Sequence, residues 1–174
     1  MPKPEQVSYH GNPNLKPLAY QHDFTKEEIQ EYVKCKEDPV YFIENYVKII
    51  TLDSGLQPFK LYDCQKKKVE KIMNNRRVVL MEGRQQGKTV TSAACILHYT
   101  VFEEDKTVAI MANKASAARE VLNRYQIMYE NLPLWMQQGV RVWNKGDVEL
   151  ENNSKVLTAA TTAAAIRGKS VNWL

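Results

Sequence analysis

Cysteine is scarce in this 174-residue sequence: Cys35, Cys64 and Cys95 are odd in number, widely separated, and do not group with the three histidines into a ligand set. Neither a disulfide framework nor a zinc site is suggested. Long apolar runs are also missing. None approaches the roughly twenty residues a membrane span needs, and the opening MPKPEQVSYHGNPN lacks the apolar core of a secretory leader, so a cytosolic protein is expected. Charge of one sign is in short supply too. Lys and Arg number 24 against 20 Asp and Glu, a formal net charge of +4. That is too modest to indicate nucleic-acid binding by itself, although it would not oppose a polyanionic partner. Internal repeats are absent. What remains is ordinary globular composition, 44% hydrophobic and 25% charged, in a chain of one domain's length that can bury a real core.

The stretch MEGRQQGKTV, Met81 to Val90, nearly spells a phosphate-binding loop. The form G-x-x-x-x-G-K-[ST] combines backbone N–H groups that curl around phosphate oxygens, a Lys for the β/γ-phosphates and a hydroxyl for Mg²⁺. Gly87, Lys88 and Thr89 supply the last three positions, but Glu82 stands where the first glycine belongs and Gly83 comes one place late. The context supports the motif. Val78-Val79-Leu80-Met81 is a short continuous apolar run, as in a strand buried on both faces of a parallel sheet. Thr89 to Tyr99 has no Pro or Gly and places Val90, Ala93, Ala94 and Leu97 at helical spacing, so the loop would open onto a helix N-terminus. The alternative is an ordinary strand-to-helix turn, with Gly87 permitting a positive φ and Lys88 solvated.

Residues 1–24 are rich in Pro, Asn and His without periodicity and predict a flexible arm; residues 25–174 form the domain. Thr25 with Glu28 predicts a capped helix to about Lys36, interrupted by Pro39. A second helix is expected from about Val40 to Ile50, then a connecting loop from Leu52 to Lys60. LYDCQ leads into a helix to about Asn74 that bears Lys66, Lys67, Lys68 and Lys71. This lysine run suits DNA, but a solvated face with Val69, Ile72 and Met73 turned inward is the commoner arrangement and is preferred. Thr107 to Ala112 predicts a second buried strand, Lys114 to Tyr129 its helix, and Val140–Trp143 with Asp147–Glu151 a hairpin around Asn144-Lys145-Gly146. Lys155 to Ala160 is a further strand, Thr161 to Gly168 a small-residue loop, and Val171 to Leu174 the opening of another strand. The expected fold class is α/β, a parallel sheet flanked by helices with ligand at the strands' carboxyl ends.

These residues resemble the large terminase subunit of tailed bacteriophages, the ATPase that drives DNA into the empty capsid, in its N-terminal ATPase domain. The family's loop is itself irregular, often x-x-R-Q-x-G-K-T, which Arg84-Gln85-Gln86-Gly87-Lys88-Thr89 fits. LYDCQ, VYFIENYVKI, AIMANKASAAREVL, VRVWNKGDVELENNSKV and AIRGKS follow in the family's order, so the likeness covers Tyr41 to Leu174. The resemblance implies a P-loop NTPase fold of the RecA/helicase-like kind, with ATP and Mg²⁺ as cofactors. It implies that Gly83, Arg84, Gln85, Gln86, Gly87, Lys88 and Thr89 wrap the phosphates, Lys88 neutralising them and Thr89 holding Mg²⁺. Gln65 matches the adenine-recognising glutamine, whose amide offers one donor and one acceptor; otherwise it caps a helix start. Either Arg84 in cis or Arg167 in trans would serve as the arginine finger, Arg167 otherwise pairing a carboxylate in its loop. Double-stranded DNA, the portal protein, the small terminase subunit and further copies in a ring are the implied partners, in the cytoplasm of an infected bacterium.

In the family, the strand after the Arg-Gly element ends in Asp-Glu, which assists Mg²⁺ and activates water, and a nuclease domain follows. Here that strand begins at Val171 and the sequence stops at Leu174. The expectation is an N-terminal portion of a large terminase subunit, incomplete before Walker B, that alone hydrolyses ATP negligibly and binds it weakly. A helicase-like ATPase fragment, or a binding module that kept the fold and lost the chemistry, are the alternatives.

Overall fold

A computed structural model describes residues 8–51, 53–160 and 170–173. Helix α1 (Lys26–Glu37) starts at Thr25, whose hydroxyl accepts from the Glu28 N–H while the Glu28 carboxylate accepts from the Thr25 N–H. Asp38 ends α1 and caps α2 (Pro39–Tyr46), its side chain accepting from Tyr41 N at 2.9 Å with Pro39 in the first turn. The second helix is shorter than the sequence suggests. Lys48–Thr51 forms β1, which pairs antiparallel with β2 (Gly55–Pro58) inside the stretch expected to be a loop. The reason is local: Ile49, Ile50 and Thr51 are β-branched and stiff at χ1, and Gly55 at φ +66 supplies the turn.

Helix α3 (Asp63–Asn74) is followed by an extended run and a turn into α4 (Lys88–Phe102), the central helix, with ten buried residues. Then come β3 (Thr107–Ala112), α5 (Ala115–Glu130), the hairpin β4 (Val140–Trp143) and β5 (Asp147–Leu150), and β6 (Lys155–Ala160). The four strands β3, β6, β5 and β4 lie in that order; β3 and β6 are parallel, and the other two pairs are antiparallel. The sheet is therefore mixed rather than parallel as expected. The turn around Asn144 and the one at Asn152–Ser154 are too short for a crossover and can only reverse the chain. In the first, the Asn144 side-chain oxygen accepts from the N–H groups of Gly146 and Asp147, each at 2.7 Å.

The core lies where α4 and α5 meet each other and the sheet, filled by Leu97, Leu122, Tyr125, Tyr129, Leu150 and Val156. On its far side Phe42 of α2 meets Phe102 edge-on at 5.2 Å. Residues 8–24 carry no helix and lie against this body through Leu15, which is buried, and a bond from Val140 N to Lys16 O of 3.0 Å. Residues 171–173 lie on the free edge of β3, where Trp173 pairs in parallel with Val108 and stacks on Tyr99 of α4 at 4.6 Å. Among the described residues no helix is long and apolar enough to cross a membrane.

Candidate phosphate-binding site

The run Val78–Met81 does not form the buried strand expected of it. It pairs with no strand among the described residues, and Val79 and Met81 are 87% and 92% exposed. An apolar run becomes a buried strand only where a neighbour offers it a ladder. Both edges of β3 are engaged elsewhere, one by β6 and the other by Trp173.

The loop beyond it turns through Arg84–Gly87, with left-handed backbone at Gln85 (φ +62) and Gly87 (φ +73). Gly87 is the N-cap of α4 and offers no side chain, so among the described residues the helix start has no side-chain cap. Next to them the Lys88 ammonium folds back over the loop and donates to the carbonyls of Glu82 and Gly83, each at 2.6 Å. Thr89, the second residue of α4, is exposed. Lys88 and Thr89 line an open groove of about 950 Å³ together with Val108, Ile110 and Trp173. A cation and a hydroxyl thus lie on the first turn of α4, beside its N-terminus, a donor set whose chemistry fits a phosphate with its magnesium.

Gln65 is buried on α3 and caps the start of that helix. Its Oε1 accepts from Tyr62 N at 3.0 Å, which caps the helix, while its Nε2 end lies against Gly87. The sequence placed Gln65, Gly83, Gln85, Gln86, Gly87, Lys88 and Thr89 in one site, and the structure brings them together around the junction of α3, the loop and α4. Arg84 is exposed and forms no ion pair with a described residue. Arg167 lies outside the described residues, as does the small-residue loop around it.

Lys68 departs from the expectation. Lys67 and Lys71 are solvated as anticipated, and Lys66 pairs with Glu44 at 3.1 Å, but the Lys68 side chain is only 2% exposed and contacts Glu82 Oε2 at 2.7 Å. The signal available in the sequence was the carboxylate at the position the general motif gives to glycine.

The described residues define an α/β protein with a mixed sheet and a loop that opens onto the N-terminus of α4. Residues 79–173 match the family model described as terminase large subunit, T4-like-virus type, N-terminal. The chain belongs to this family of phage DNA-packaging terminase large subunits.

Proposed function

We propose that the chain binds ATP through residues 83–89 and forms the nucleotide-binding part of a terminase large subunit that powers DNA translocation into a capsid. The observation that carries this reading is the placement of the Lys88 ammonium and the Thr89 hydroxyl beside an N-terminus of α4 that has no side-chain cap. The order α3, loop, α4, β3, α5 and β6 supports a P-loop NTPase fold of the RecA/helicase-like kind.

In this reading Lys88 would give up its two carbonyl partners for the β- and γ-phosphate oxygens, and the first-turn N–H groups of α4 would hold further oxygens. Thr89 would hold Mg²⁺, which supplies charge neutralisation at the phosphates. Gln65 would turn its amide toward adenine and give up the bond it accepts from Tyr62 N. Arg84, exposed within the loop, is the candidate arginine for transition-state charge in cis, and Arg167 for the same role in trans. Double-stranded DNA, a portal, a small terminase subunit and other copies of the chain are the partners that family membership suggests, in the cytoplasm of an infected host. Titration with a fluorescent ATP analogue tests the reading: saturable, Mg²⁺-dependent binding is expected, with a loss of at least roughly 100-fold in Lys88→Ala. Equal binding by the two chains would reject it.

A further inference from the structure

We infer that the ion pair between the buried Lys68 and the half-buried Glu82 is a clamp that sets the shape of the 82–88 loop, with Lys68 a positioning residue for the proposed phosphate site. A lysine that is 2% exposed requires a counter-charge, and Glu82 Oε2 provides it at 2.7 Å. The same ammonium lies 3.5 Å from the carbonyl oxygen of Gln86. One side chain of α3 therefore reaches both the start and the end of the loop. Gln65, three residues earlier and on the same face of α3, lies against Gly87.

Residue 82 is held twice. Lys68 binds its carboxylate, and Lys88 binds its carbonyl at 2.6 Å. The two lysines approach the same residue from different helices, so the position of the Lys88 ammonium depends on where Lys68 holds Glu82. This also accounts for the irregular motif. The loop's left-handed residues are Gln85 and Gly87, so the backbone places no demand for glycine at position 82, and a carboxylate there can serve as the anchor.

The clamp is a property of the chain without nucleotide, while its consequence for affinity rests on the ATP reading above; the test separates the two. Hydrogen–deuterium exchange is measured on the nucleotide-free 174-residue chain and on Glu82→Ala, Lys68→Met and the double variant. Each single change is expected to speed exchange of the 83–87 amides by roughly tenfold, with β4, β5 and α5 unchanged and the double variant no faster than the faster single. A merely structural role for the lysine would instead loosen α3 and α4 throughout. Unchanged loop exchange in Glu82→Ala, or single effects that multiply in the double variant, overturns the clamp. Should Lys68→Met fail to fold, Glu82→Ala, whose side chain is already 25% exposed, and Lys68→Arg, which should keep wild-type exchange, decide the matter. ATP-analogue titration of the same proteins is expected to show a roughly 100-fold weakening in the singles. If the wild-type chain binds no nucleotide, the ATP reading fails, while the exchange data still decide the clamp.

Discussion

A Cβ placed on Gly87 would stand 2.5 Å from Nε2 of Gln65, so the glycine of the loop and the glutamine of α3 are fitted to each other. Two costs meet at this position. The left-handed φ of +73 alone disfavours alanine by roughly 1–2 kcal/mol, and the collision with Gln65 adds to it. Gly87→Ala is expected to destabilise the chain. Gln65→Ala in the same chain should recover part of the stability, since it removes the collision and leaves the backbone strain. Urea unfolding of the two singles and the double measures this.

Gln137 is expected to be the anchor of residues 8–24. It is buried, shares its amide protons among the carbonyls of Asn14, Tyr129 and Leu132 at 2.9, 3.2 and 2.9 Å, and accepts from Lys16 N at 3.1 Å. Gln137→Leu would leave buried groups unpaired, at roughly 1–3 kcal/mol for each. Limited proteolysis should then cut within residues 8–24 before the rest of the chain, whereas in the wild type the segment should resist.

His98 makes stability depend on mild acid. Burial against Phe42 and Phe102 lowers its pKa below the ordinary 6.5, partly offset by the carbonyl of Cys35 at 2.9 Å from Nε2, and Nδ1 has no partner among the described residues. The unfolded chain therefore binds this proton more readily than the folded one. The stabilising effect is complete above pH 6.5 and is lost as pH falls from there toward the lowered folded value, with a slope of at most about 1.4 kcal/mol per pH unit. Unfolding free energies measured in steps from pH 8 to pH 5 should show this slope, and His98→Gln should flatten it.

The three thiols should react unequally. Burial pushes the Cys35 and Cys95 thiols up to about 12, and both are buried, while Cys64 is exposed at the start of α3. The thiolate is the reactive form. A disulfide reagent is expected to titrate one thiol quickly in the native chain and all three in urea; rapid native labelling of Cys95 would show that α4 opens readily.

The short-range features were legible in the sequence because their causes lie within a few residues. Thr25 and Glu28 form their capping box, the Asn144 turn reverses the hairpin, and the apolar runs of β3 and β6 lie close to where periodicity put them. Gly87, Lys88 and Thr89 at the start of α4 follow from spacing alone. What failed was any inference that needed to know a neighbour. The run Val78–Met81 has strand composition but no strand beside it, and Lys68 belongs to a run that is solvated at Lys67 and Lys71. The sequence by itself thus determined the Thr25 capping box, the Asn144 turn and the extents of β3 and β6, since hydrogen bonds and propensities within a few residues decide them. Only the tertiary structure decided the mixed order of the sheet, the pairing of Lys68 with Glu82 and the fit of Gln65 to Gly87, because burial and ion pairing depend on which distant surfaces come together.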